Sequence, residues 1–153
     1  LRSIGVEGTD ELNEIYTGIN HRWWSDLELG KVTKQELLNG RFREFFETVN
    51  ISCDDVEAFR KQYQHELGVN YLIIKDAKEV CTHLKQLGYR QYIVTNGVTS
   101  TQLSKLSLSG FDVIMDDIFI SEEIGFPKPN KAFFEACFTR ILEKETSFVK
   151  LGF

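Results

Sequence analysis

Proline is scarce in this chain of 153 residues: there are two, and both flank Lys128. Cysteine is scarce as well. Cys53, Cys81 and Cys137 are odd in number and far apart, with no CxxC pair, which speaks against a disulfide framework and against zinc ligation. Long apolar runs are missing, none approaching the ~20 residues of a membrane span. No secretory leader is legible either, so the cytoplasm is the expected compartment. Basic clusters are absent too. With 18 Lys and Arg against 23 Asp and Glu the formal net charge is -5, and nothing tracks a nucleic-acid backbone. A small phosphorylated metabolite remains open as a ligand, because one local cation and a Mg²⁺ ion can reverse the potential inside a cleft.

What is present is apolar material. Hydrophobic residues make up 42% of the chain, enough for one compact domain or for a smaller domain plus part of another. The chain opens LRSIGVEG without a Met and closes FVKLGF on an apolar run, so both ends read as cut.

Two grammars follow one another. Up to about Ile74 the pattern is helical. Thr9 or Asp10 can cap a first helix whose apolar stripe is Leu12, Ile15, Ile19, Trp23 and Leu27, and Gly30 stops it. Thr33 and Glu36 have capping-box spacing ahead of a second helix through Leu37, Leu38, Phe42, Phe45, Phe46 and Val49. A third helix starts near Asp54 or Asp55 and runs through Val56, Phe59, Tyr63 and Leu67. From Asp76 helices alternate with short strands expected at 91–95, 118–121 and 147–151. That alternation builds a parallel sheet with covered faces. Residues 1–74 are therefore expected as a helical domain and 75–153 as part of an α/β domain.

In an open parallel sheet the ligand site lies beyond the carboxyl ends of the strands. The run QYIVTNG puts Thr95, Asn96 and Gly97 at such an end. A hydroxyl, backbone amides and the start of the next helix could together hold an anion there; a simple turn with a helix cap accounts for TNG equally well. One strand later, IFISEEIGFPKPN places Lys128 between its two prolines. Its ammonium could reach the mouth of the sheet, although a solvated lysine in a stiff loop is the plainer reading.

QYIVTNG and IFISEEIGFPKPNKAFF resemble the second and third motifs of the haloacid dehalogenase-like hydrolases, a family made up mostly of Mg²⁺-dependent phosphatases. LELGKVTKQELLNGRFREFF resembles the helical cap of one subclass. NHRWW, GKVTKQELLNGRF and SEEIGFPKPN together resemble the pyrimidine 5'-nucleotidase branch. The resemblance implies a Rossmann-like α/β core with an all-helical cap, and a nucleoside 5'-monophosphate phosphatase working through an aspartyl-phosphate. It assigns Thr95 to a phosphoryl oxygen, Asn96 and Gly97 to the phosphate pocket, and Lys128 to the phosphoryl group and the nucleophile. Mg²⁺ is implied for the complete protein. A monomer or homodimer is expected, with no nucleic-acid polymer and no membrane as partner.

The family's Asp-x-Asp nucleophile motif and its late metal-binding acids have no counterpart in these residues. A phosphatase is thus expected of the parent protein, and no competent one of this chain, which is expected to supply no metal ligand. A sugar-phosphate phosphatase or phosphomutase of the same family, and a non-catalytic domain of the same fold, are the alternatives. On the cap, Trp24 lies one position off the apolar stripe and is a candidate exposed, base-stacking or domain-contacting ring. Arg41 and Arg43 could face a cleft, with a solvated helix face as the plainer account. His21, His65 and His83 have no spacing that makes a ligand set and read as surface residues, His21 being the one near the candidate cap positions.

Overall fold

Capping chemistry sets the first two helices. A computed structural model describes the backbone of residues 1–150 and the side chains of residues 1 and 3–144. The Leu12 amide donates to Thr9 Oγ1 at 3.2 Å, and α1 runs over Asp10–Glu28. Gly30, at φ +70°, turns the chain away. At α2 (Lys34–Thr48) the expected capping box forms: Glu36 N donates to Thr33 Oγ1, and Thr33 N to Glu36 Oε2 at 2.7 Å. These bonds from Thr33 hold the Glu36 carboxyl below its usual range. Asp55 Oδ1 accepts from Ala58 N at 2.8 Å as α3 (Val56–Val69) begins.

The chain divides into two compact units, Leu1–His65 and Glu66–Phe153. The first is helical throughout. Its core is Ile19, Phe42, Phe45 and Phe46, with Tyr16, Trp23, Phe59 and Tyr63 packed around it. Phe42 stacks on Tyr16 at 5.6 Å and meets Phe59 edge-on at 5.4 Å. The phenylalanines that crowd α2 are thus core, each worth about 2–3 kcal/mol of burial. Trp23 lies so close to Gly40 that a Cβ there would sit 2.3 Å from its ring.

The second unit carries the strands. After α4 (Ala77–Gln86), β1 (Tyr92–Thr95) pairs in parallel with β2 (Asp117–Ile120), in the register Tyr92↔Asp117 to Thr95↔Ile120. Helix α5 (Thr99–Ser109) lies in the crossover, as a parallel pair requires. Phe119, Phe133 and Cys137 form the core of this unit. This unit is a reduced Rossmann-like core, and the first is a helical cap. Among the described residues no helix is long and apolar enough to cross a membrane.

Two expectations need correction. The second strand ends at Ile120, and Ser121 opens a one-turn helix, α6 (Ser121–Ile124), that Gly125 closes at φ +88°. The third strand, expected over 147–151, does not follow either. Helix α7 (Lys131–Lys150) continues through its first four residues, and Leu151 lies outside the described residues. ILEKETSFVK contains no Gly or Pro to stop a helix, and Leu, Glu and Lys extend one readily.

Candidate functional site

The end of β1 is assembled by the side chain of Asn96. Its Oδ1 accepts from Lys128 N at 2.7 Å, and its Nδ2 donates to Lys128 O at 2.9 Å. One side chain therefore clasps both backbone groups of a residue 32 positions away. Lys128 Nζ in turn donates to the carbonyl of Val94 at 3.1 Å. The Pro–Lys–Pro segment is thus laid along the carboxyl end of β1, next to Thr95. Both Thr95 and Lys128 are half-buried.

The turn itself is closed by Thr95, whose Oγ1 accepts from Gly97 N at 3.0 Å. Thr95 keeps its own hydroxyl hydrogen, which rotates to suit an acceptor. The start of α5 differs from the anion cradle expected there. The Thr99 amide donates to Glu122 Oε2 at 2.8 Å, so a carboxylate from α6 already meets the positive end of the helix. The spacing of Glu122 from α5 in sequence gave no sign of this, because it depends on β2 bringing α6 alongside α5.

The acids beside the sheet have other work. Asp116 Oδ2 accepts from Gln91 N at 2.9 Å. Asp117 binds Arg140 Nη2 and Lys144 Nζ, both at 2.6 Å. Burial alone would raise the Asp117 carboxyl, but the Lys144 and Ile118 hydrogen bonds and the two cations outweigh it and hold it below the usual range. Asp117 also stands at the wrong end of the sheet. It pairs with Tyr92, three residues before Thr95, or roughly 10 Å at the rise of a strand. Among the described residues no group of three or more His, Cys, Asp or Glu side chains could hold a metal ion.

In the helical unit, Trp24 is half-buried, not exposed, and the Lys34 ammonium lies 4.6 Å from its ring centroid. Trp23 donates from Nε1 to Glu44 at 2.9 Å, and the same carboxylate pairs with Arg22. Arg41 departs most from a solvated helix face: it is 2% exposed, and its Nη1 donates to Asn20 Oδ1 at 2.6 Å. His21, His65 and His83 are exposed, as read from sequence.

Comparison with known proteins agrees with this architecture. A family model described as haloacid dehalogenase-like hydrolase matches residues 4–149. YfnB of Bacillus subtilis (strain 168) is 35% identical over 133 residues, covering 87% of this chain and 56% of YfnB. The pyrimidine 5'-nucleotidase PynA of Streptococcus pneumoniae (strain ATCC BAA-255 / R6) is 32% identical over 135 residues, covering 88% of this chain and 56% of PynA. A magnesium-bound crystal structure of YfnB superposes with a TM-score of 0.85 at 32% identity, covering 91% of this chain and 61% of that one. The chain thus spans little more than half the length of these relatives.

Proposed function

Because this chain belongs to the haloacid dehalogenase-like hydrolases, we propose that it supplies the phosphate-holding part of a phosphomonoester hydrolase, with nucleoside 5'-monophosphates as the preferred substrate class. The observation that carries this reading is the pair of hydrogen bonds between the Asn96 side chain and the backbone of Lys128. It holds the Lys128 backbone at the carboxyl end of a parallel strand, with the ammonium on the carbonyl of Val94, the residue before Thr95, which supports a reading as a phosphoryl-group site. In this reading Thr95 donates its hydroxyl to one phosphoryl oxygen and Asn96 and Gly97 shape the pocket. Lys128 stabilises charge that grows as phosphorus is attacked. The nucleotide class is favoured by the likeness to PynA and to a second pyrimidine 5'-nucleotidase, YjjG of Escherichia coli (strain K12). Trp24 and Arg41 are the cap residues we propose on the substrate side, with residues 1–74 as cap and 75–153 as part of the core. The proposed compartment is the cytoplasm.

Mg²⁺ does not fit the described residues, since they offer no acid cluster to hold it. The magnesium bound to YfnB motivates the proposal that a longer polypeptide containing this chain needs the ion. In this reading the attacking carboxylate is supplied by residues absent from this chain; Asp116, Asp117 and Glu122 are engaged by Gln91, by Arg140 and Lys144, and by Thr99, and neither they nor Glu123 form an acid pair of the family's catalytic kind. The test is phosphate release from nucleoside monophosphates, hexose phosphates and p-nitrophenyl phosphate, with and without EDTA, by this chain and by a polypeptide of the relatives' length. The longer protein should turn over at least one nucleoside monophosphate, and EDTA should abolish the activity. In it Lys128→Ala should lower kcat roughly 10²–10³-fold, while Lys31→Ala, on the surface of the helical unit, should not. The 153-residue chain should release nothing. Metal-dependent turnover by the short chain, or an unaffected Lys128→Ala enzyme, would overturn the assignment.

A further inference from the structure

The strand end that carries Thr95 has most of its donors engaged. The Gly97 amide is bonded to Thr95 Oγ1, and the Lys128 amide to Asn96 Oδ1. The Lys128 ammonium gives one of its three hydrogens to the carbonyl of Val94. What these groups still offer is the Thr95 hydroxyl hydrogen and two ammonium hydrogens, enough for the oxygens of one phosphoryl group. The next donors along the chain stand at the start of α5. There a carboxylate is already seated, with Glu122 Oε2 accepting from the Thr99 amide at 2.8 Å.

That carboxylate fills a gap which α5 leaves in its own sequence. Val98 stands at the N-cap without a side-chain oxygen to offer, and the first turn holds no acid. Glu122 supplies the negative charge from α6 instead. The register pairs Thr95 with Ile120, so the two strands end level. Glu122, two residues past Ile120, therefore comes alongside the helix that starts four residues past Thr95. The side chain of Gln102 lies so close to Gly97 that a Cβ there would sit 2.3 Å from its Nε2, so the turn is covered from α5 as well. Glu122 and its neighbour Glu123 are exposed, and neither forms an ion pair among the described residues. An anion arriving at the α5 end must displace a carboxylate or sit against one, and like charges at contact distance repel.

We propose that Glu122 sets how many phosphates this strand end admits. Its carboxylate closes the start of α5 to a second anionic group, so a ligand with one phosphate is taken and a diphosphate is turned away. Glu122 acts here through what it repels, not through a contact with the accepted ligand. The inference rests on the reading of Thr95 and Lys128 as the phosphate-holding residues.

The test is a titration of the ¹⁵N-labelled 153-residue chain with inorganic phosphate and with inorganic diphosphate at matched ionic strength. The backbone amides of Gly97 and Thr99 are followed. Glu122→Gln keeps an acceptor oxygen for Thr99 and removes the charge, and Glu122→Ala is the second variant should the first fold poorly. Glu123→Gln removes the neighbouring charge and leaves the Thr99 bond alone. The wild type should bind diphosphate no more tightly than phosphate, with the Thr99 amide unmoved. Glu122→Gln should bind diphosphate about tenfold more tightly than the wild type, as lifting one unit charge from beside a dianion implies. Its Thr99 amide should then shift, and its affinity for phosphate should change much less. Diphosphate bound by the wild type at Thr99, no gain in Glu122→Gln, or an equal gain in Glu123→Gln would overturn the proposal. Lys128→Ala tells its failure from that of the underlying reading. A phosphate response kept in Lys128→Ala would sink the reading and the inference with it. A response that needs Lys128, with no gain in Glu122→Gln, would sink the inference alone.

Discussion

At the residue scale, single side chains decide what each surface can do. Asp117 is the clearest structural case, with two cations and a backbone amide on one nearly buried carboxylate. Its pKa is depressed in the folded state, so its contribution is fully present above about pH 4, where unfolded aspartates ionise. It is lost as pH falls through the lower, folded value. Asp117→Asn should cost about 1–3 kcal/mol near neutral pH. The penalty should shrink as the pH is lowered, as urea midpoints for the two proteins at neutral and at strongly acidic pH would show. An unchanged penalty in acid would mean that packing, not charge, holds Asp117. The TNG turn and the lysine fixed by prolines were visible in the sequence one strand apart, and the structure joins them through Asn96. The burial of Arg41 was not visible. Its neighbours at helical spacing are both polar and aromatic, and only the packing of α1 and α3 on α2 decides which face is closed.

At the element scale, the helix boundaries were legible because they rest on local chemistry. Thr9, the Thr33–Glu36 pair and Asp55 are short-range signals, and the caps formed where those residues stand. The third strand was not legible, since a short apolar run at a chain's end fits a helix or a strand, and without a neighbouring strand its helical continuation wins. Gly40 shows the limit of local propensity. On propensity alone Gly40→Ala in the middle of α2 should stabilise by about 1 kcal/mol. The ring of Trp23 occupies the space the methyl would need, so the substitution should instead destabilise by about 1–3 kcal/mol. It should also shift tryptophan emission as the ring is displaced from Glu44. A more stable protein with unchanged emission would show that α1 moves aside freely.

At the scale of the whole molecule, the order of motifs carried the family and the alternation of helices and strands carried the fold class. Only 56% of YfnB or PynA is spanned. The clasp of Asn96 on Lys128 has a further consequence, in time and not in space. Asn96 is followed by Gly97, the pairing in which a backbone nitrogen most easily attacks the side-chain amide, expelling ammonia through a cyclic imide. Here the attacking nitrogen is bonded to Thr95 and the amide is pinned at both ends, so the folded chain should age slowly at this point and the unfolded chain quickly. Each event would turn a donor into a carboxylate facing the Lys128 carbonyl and add one negative charge to a molecule already at -5. Peptide mass spectrometry after prolonged incubation, native against urea-unfolded, should find the modified peptide mainly in the unfolded sample. Equal rates would mean the clasp opens often. A stored preparation would otherwise drift into charge isoforms, each with the Asn96 clasp on Lys128 broken.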